Sequence, residues 1–352
     1  MKFRDTLYQW YELHRRTLPW RETDDAYRIW ISEIVLQQTR VIQGLGYYER
    51  LIASYPDVFS LAAASEDDVY KHWEGLGYYN RAALMLKTAR EIANNYNGVF
   101  PTTSAELIRL KGIGEYTAAA IASFAFGEAV MCVDGNVKRL ISRYFGIESL
   151  YGSSRFETEV CTSLSAVFDK ENPALFNQAI MEFGALQCKP KAVCPTCPFL
   201  NECFANMHGK QNSIPVKPIK KTVATRYFNY FVVLSDDMKT LIKKRTADDI
   251  WKNMFEFPMT ETIGPISDKI LLPTDIKAVC KSTQASLLFE AAIHKLTHQQ
   301  IAARFYVIRT SVVLPIRKKT DLLLVDSVDL EQYAMPRIIT KYLPQIRESI
   351  FI

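Results

Sequence analysis

Four cysteines crowd into sixteen residues: Cys188, Cys194, Cys197 and Cys203, with five, two and five residues between successive members. Short loops of this kind fold back on themselves, so four thiolates can converge on one soft metal centre. Zinc ribbons pair two Cys-x-x-Cys knuckles, whereas only Cys194 and Cys197 form a knuckle here. That favours an iron–sulfur cluster and leaves zinc as the competitor. The remaining three of the seven cysteines, Cys132, Cys161 and Cys280, are scattered and read as small buried residues, and the odd total argues against a disulfide framework.

Two carboxylates stand out for opposite reasons. Glu33 has Ile29, Trp30, Leu36 and Gln37 as its helical neighbours at i−4, i−3, i+3 and i+4, so three of the four are apolar. Desolvation there raises its pKa and keeps it protonated. Asp134 in VDGNVKRLISRYF precedes an amphipathic segment at the N-cap position, where amides and helix dipole favour the ionised form. Taken alone, each has an ordinary structural role, as an edge residue or a helix cap. A neutral acid facing an ionised carboxylate is also the usual division of labour in glycosidic bond cleavage. Between the two, LKGIGEYTAAAIAS places Gly112 and Gly114 at a tight turn before a helix, whose outward amides suit a phosphate oxygen.

Helices must carry these residues. Tyr27, Trp30, Ile31, Ile34 and Val35 follow the i, i+3, i+4, i+7, i+8 stripe, and Val137, Leu140, Ile141, Tyr144 and Phe145 repeat it. Leu61–Tyr70, Ala82–Tyr96, Ala105–Leu110 and Tyr116–Phe126 also read as helices. After residue 226 the pattern turns to strands: Tyr227–Leu234 and Thr240–Lys244 predict a hairpin, Ala303–Ile308 and Thr310–Leu314 two more strands, and Pro336–Leu343 a closing helix that stops before Pro344. Between them, Met207 to Arg226 holds Lys210, Lys217, Lys220, Lys221 and Arg226 with no acid, a solvated linker or one that tracks phosphates.

The whole chain of 352 residues predicts two or three domains. With 48% hydrophobic and 23% charged residues, disorder is excluded for the bulk of it. The longest apolar run, Ala118 to Phe126, is too short for a membrane span. Charges scattered through MKFRDTLYQWYELHRR, where a secretory signal has an apolar core, set the expectation of a cytoplasmic protein. A net charge of +5 is compatible with an acidic partner without requiring one.

Together, LPWR (18–21), WISEIVLQQTRV (30–41), GLGYYNRA (75–82), LKGIGEYTAAAIASFAFG (110–127), VDGNVKRL (133–140) and the cysteine cluster resemble the helix-hairpin-helix DNA glycosylases that carry a 4Fe-4S cluster, in particular the branch that removes adenine. The resemblance covers essentially the whole chain. It implies a multidomain protein: an all-α glycosylase domain of two helical lobes over 1–206 (a six-helix module near 22–131 and a cluster module from 1–21 and 132–206), a basic linker at 207–225, and an α+β MutT/Nudix-like domain over 226–352. The implied reaction is hydrolysis of adenine mispaired with 8-oxoguanine or guanine in double-stranded DNA, after base flipping, by a monomer.

Residue by residue, the resemblance makes Glu33 the general acid and Asp134 the stabiliser of an oxocarbenium-like sugar, with Tyr116 and Asn136 beside them. It places Arg21 and Gln38 at the base pocket or the opened pair, Leu76 and Tyr78 in a wedge entering the duplex, and Gly112 and Gly114 on a backbone phosphate. Cys188, Cys194, Cys197 and Cys203 would hold the cluster. Relatives resembling endonuclease III carry a lysine nucleophile where this chain has Tyr116, so strand nicking is not expected. Two departures stand out. The family has six residues between the first two cluster cysteines where this chain has five, and the recognition loop that commonly reads Phe-Ser-His is Leu296, Thr297 and His298 here. Thr297 keeps a hydroxyl. The rival readings are a glycosylase of other base specificity, a non-catalytic DNA-binding protein, and a nucleotide pyrophosphohydrolase. The last needs a glycine followed by a glutamate-rich helix, and 226–352 supplies none.

Overall fold

A computed structural model describes residues 2–219, 223–266, 272–280, 284–311 and 321–348. The chain divides into two compact units, 1–63 with 84–220 and 64–83 with 221–352. Residues 64–83, expected within the six-helix module, therefore group with the second unit.

The first unit is helical. Asp25 caps the Ala26–Leu36 helix by accepting from the amides of Tyr27 and Arg28. The sequence pattern predicts one apolar stripe on this helix. The structure instead buries every residue from Tyr27 to Val35 except Arg28, Ser32 and Glu33 included. The reason is its place: it packs against the Glu115–Phe126 helix, which is itself buried from Thr117 to Ser123. Helices apolar on all sides are core helices. Gly112 sits at φ +84°, and a Cβ there would fall 2.7 Å from Cβ of Leu84, so the turn before the second helix admits glycine for two separate reasons.

The Lys2–His14 helix joins a core formed by elements more than a hundred residues away. Its Phe3, Leu7, Trp10 and Tyr11 pack with Val137, Leu140 and Ile141 of the Gly135–Phe145 helix, and with Phe176 and Phe183 of the Pro173–Leu186 helix. The basic stretch is not a solvated linker over its first half. Lys210 pairs with Glu148 at 2.6 Å, Val216 bridges to Leu150, and the Ile214 carbonyl accepts from Nε of Arg143 at 2.9 Å. Lys220 and Lys221 lie outside the described residues.

The expected Leu61–Tyr70 helix is two helices, Val58–Ala63 and Glu66–Trp73. The Ser65 hydroxyl accepts from the Asp68 amide and starts the second. That second helix, in the second unit, is tied to the sheet domain: Asp67 pairs with Lys244 at 2.6 Å, Tyr70 accepts from Asn253, and Glu74 accepts from the Met335 amide at 2.9 Å.

The sheet holds β1 (Ala224–Ser235), β2 (Lys239–Lys244), β3 (Phe255–Glu256), β4 (Met259–Thr262), β5 (Ser286–Glu290), β6 (His294–Lys295), β7 (Gln299–Thr310) and β8 (Leu322–Asp326). Its main path is β3-β2-β1-β7-β5, with β1 and β7 parallel along their full lengths. The hairpin of β1 and β2 forms as expected. Side chains alternate, Phe228, Tyr230 and Val232 facing one core and Phe231 and Val233 the other. Thr310 ends β7 and begins no new strand, and 312–314 lie outside the described residues. The closing helix is broken into Arg337–Thr340 and Leu343–Glu348. Pro344 falls in the first turn of the latter, where its missing N–H leaves no helical bond unmade. Among the described residues no helix is long and apolar enough to cross a membrane.

Candidate active site and cysteine centre

A cavity of about 1160 Å³ in the first unit is lined by Glu33, Asp134, Tyr116 and Asn136, with Arg21, Gln38 and Gly114 also on its wall. Residues separated by a hundred positions thus meet in one space. Glu33 is 6% exposed, although it stands on the helix facing the cavity. Burial pushes its carboxyl up to about 7. The Tyr116 hydrogen bond and the charge of Arg21 pull the other way, and the negative charge of Asp134 adds to the rise.

Asp134 caps the Gly135–Phe145 helix. Its Oδ1 accepts from the amides of Asn136 at 2.8 Å and Val137 at 2.7 Å, and its Oδ2 from Nδ2 of Asn136 at 2.6 Å. The sequence reading, in which the helix terminus alone sets its charge, is incomplete. Burial raises its pKa on balance, and the three donors together with Arg139 oppose that rise without cancelling it. Those donors all serve the ionised form, so within the pair Asp134 is the carboxylate equipped to carry the charge and Glu33 the one equipped to hold a proton.

Three residues that sequence reasoning missed brace the cavity wall and the cysteine loop beside it. Glu182, 1% exposed and on the cavity wall, accepts from Nε and Nη2 of Arg16 and from Nη2 of Arg21, the last at 2.8 Å. Burial would raise its pKa, but the two arginines overcome that and hold it at about 2. Arg21 thus reaches the cavity already paired. An acid inside the apolar stretch Ala179–Leu186 is the signal that marks Glu182. Arg139 donates to Oδ1 of Asn136 at 2.9 Å and to the carbonyls of Gly184 at 2.7 Å and Cys188 at 2.8 Å. Arg143, 3% exposed, donates to Sγ of Cys188 at 3.4 Å and to the carbonyls of Lys189 and Pro190.

A Cβ at Gly184 would sit 2.8 Å from both Cβ and the carbonyl oxygen of Asn136. Backbone cannot yield as a side-chain tip does. Gly184→Ala should therefore force the Pro173–Leu186 helix away from Asn136, costing about 1–3 kcal/mol. A drop in melting temperature, together with a slower reaction, checks this; an unchanged melting temperature would show that the helices can separate freely.

The four cysteines line one small, mostly apolar void with Arg143. Among the described residues no group of three or more His, Cys, Asp or Glu side chains is set to hold one metal ion. The donor set fits a soft, multi-atom group: four thiols, a buried guanidinium against one sulfur, and few other polar atoms.

In the second unit Leu76 and Tyr78 differ. Leu76 is 6% exposed and packs inward, whereas Tyr78 is 46% exposed, at φ +50°. The Tyr78 hydroxyl lies 2.6 Å from Oγ1 of Thr297. Leu296 packs against the sheet core and donates its amide to the Gln299 carbonyl at 2.9 Å, so Thr297 and His298 form the exposed tip of a tight turn between β6 and β7.

Residues 31–162 match the profile of the HhH-GPD superfamily base excision DNA repair proteins, and 229–345 that of the NUDIX domain. The chain is 32% identical over 354 aligned positions to the adenine DNA glycosylase of Buchnera aphidicola subsp. Acyrthosiphon pisum, with 99% of each chain covered. It is 37% identical over 222 residues to the human adenine DNA glycosylase, covering 60% of this chain and 41% of that protein. Among solved structures, a thermostable thymine-DNA glycosylase superposes with a TM-score of 0.53 at 28% identity, over 59% of this chain and 96% of that one. An endonuclease III–DNA complex superposes with a TM-score of 0.51 at 23% identity, over the same 59% and 96%, a likeness of fold alone.

Proposed function

The chain belongs to the adenine DNA glycosylase family, and from that membership we propose that it hydrolyses the N-glycosidic bond of adenine opposite 8-oxoguanine or guanine in duplex DNA. What carries the mechanism is the meeting of Glu33 and Asp134 in one cavity. Glu33, protonated up to about pH 7, donates a proton to a ring nitrogen of the flipped adenine and turns it into a leaving group. Asp134 stabilises the positive charge that develops on the sugar as the bond breaks. Tyr116 holds the acid and Asn136 the carboxylate. With tyrosine at 116, no amine is offered there to form a Schiff base with the sugar.

The test uses purified protein and a duplex with one A:8-oxoguanine pair. Strand breaks that appear only after hot alkali support a glycosylase without lyase action; breaks without alkali, or none with it, overturn the reading.

Base opposite the adenine is read in the second unit by Thr297 and His298 at the exposed turn. Leu296 anchors that turn and does not stack. Thr297→Ala is expected to lower affinity for A:8-oxoguanine about fivefold, roughly the loss of one hydrogen bond, and to leave A:G binding nearly unchanged. Binding measured on duplexes carrying a non-cleavable adenine analogue decides it; equal losses on both would deny the turn a reading role. A pyrophosphohydrolase is disfavoured, since the described helix Thr274–Val279 offers Asp275 as its acid and no glutamate.

Cys188, Cys194, Cys197 and Cys203 would hold a 4Fe-4S cluster, which supplies a rigid soft-ligand knot for the 188–203 loop and no step of hydrolysis. Arg143 braces the first half of that loop through the carbonyls of Lys189 and Pro190. Iron and acid-labile sulfide in equal amounts would support the cluster; zinc would replace it.

A further inference from the structure

Met181 is a group that the mechanism does not use. It is partly exposed, lines the cavity, and packs with Ala119, Ala120 and Cys132. Its Sδ lies 3.9 Å from the Tyr116 hydroxyl. That hydroxyl has one proton and two claimants, the Glu33 carboxyl and the Met181 sulfur. A thioether is a weak acceptor, so at 3.9 Å it holds the hydroxyl only loosely against the pull of the Glu33 carboxyl.

We propose that Met181 is a modification site: two-electron oxidation of its thioether by a small hydroperoxide draws the Tyr116 hydroxyl away from Glu33. The peroxide O–O bond breaks, one oxygen forms the S–O bond, and the other leaves as water or alcohol carrying the peroxide proton; sulfur is oxidised and the peroxide reduced. An oxygen added to the sulfur on the Tyr116 side, off the direct line between the two atoms, comes within hydrogen-bonding reach of the hydroxyl. It is a far stronger acceptor than sulfur, and it reverses the competition for the tyrosine proton. The open cavity gives peroxide access, and reduction of the sulfoxide restores the original state. Asp134, Arg21 and Cys132 also act on Glu33, and the oxidation leaves them chemically unchanged. The consequence for rate rests on the functional reading above; the consequence for Glu33 does not.

The experiment treats the full-length, cluster-loaded enzyme with graded hydrogen peroxide and maps oxygen gain at each methionine by mass spectrometry. Met207, 56% exposed, serves as an internal reference. Two readouts follow, single-turnover adenine release relative to each protein's own untreated rate, and the titration midpoint of the Glu33 carboxyl carbon by NMR without DNA. Because Tyr116 lowers the pKa of Glu33, losing it moves that midpoint upward. We expect the rate to fall about tenfold at full Met181 conversion, the midpoint to rise, and methionine sulfoxide reductase to undo both. Met181→Leu should keep its own rate and midpoint under the same dose. The proposal is overturned if Met181 stays unoxidised while Met207 converts fully, if the midpoint does not move on conversion, or if Met181→Leu loses the same fraction of activity, which would assign the damage to the cysteine centre. Absent adenine release before treatment would defeat the functional reading, and the midpoint would still judge Met181.

Discussion

Glu33→Gln is expected to release adenine about 100- to 10,000-fold more slowly, the range that general-acid catalysis contributes, while binding duplex DNA nearly as before and melting at a higher temperature above pH 7. The two effects share one cause. Burial lifts the carboxyl from its ordinary 4.5 to about 7, so the folded protein holds this proton more tightly than the unfolded chain. Between those values the unfolded chain has released the proton and the folded protein has not. Stability from this group is therefore full at low pH and is lost as pH rises through the window. Above about pH 7 the buried charge costs up to about 3 kcal/mol. Glutamine removes the charge with little change of shape. The same proton sets the rate: in the parent, single-turnover cleavage should fall as pH rises past about 7, and in the variant that dependence should vanish. A near-normal rate would place the acid elsewhere, and a lower melting temperature at pH 8 would mean that Glu33 stabilises the fold after all.

What could be read in the sequence was local. Asp134 announces itself by the helix it caps, Glu33 by its apolar neighbours, and the cysteines by their spacing, since each signal lies within one or two turns of chain. The break at Ala64–Ser65 was equally local, because Ser65 and Asp68 form a helix start, but the apolar spacing of Leu61–Tyr70 runs across it and conceals it. Glu182, Arg139 and Arg143 are different. Their partners lie far away in sequence, Arg16 in one case and Cys188 in the others. Pairing between distant charges leaves no periodicity for a reader to find. The grouping of 64–83 with the sheet domain is of the same kind, depending on single contacts such as Glu74 with the Met335 amide. Leu76 and Tyr78 look alike as neighbours in GLGYYNRA; only packing separates the buried leucine from the exposed tyrosine.

Asp134→Asn separates the cap from the charge. Asparagine caps helices as well as aspartate does, and its Oδ1 can still accept from the amides of Asn136 and Val137. The new amide, however, meets Nδ2 of Asn136, donor against donor, where Oδ2 now accepts at 2.6 Å. The lost hydrogen bond should cost about 1 kcal/mol, set against the relief of removing a charge whose pKa burial raises on balance, so the melting temperature should change little. Adenine release should fall by roughly 100- to 1,000-fold, as when a preorganised electrostatic contact to the transition state is removed. A third readout distinguishes a lost charge from a disturbed site. Asp134 raises the pKa of Glu33, so without its charge the alkaline limb of the residual activity should move to lower pH. A slow enzyme with that limb unmoved would show that the two carboxylates do not sense one another, and an enzyme of normal rate would leave Asp134 as a helix cap and nothing more.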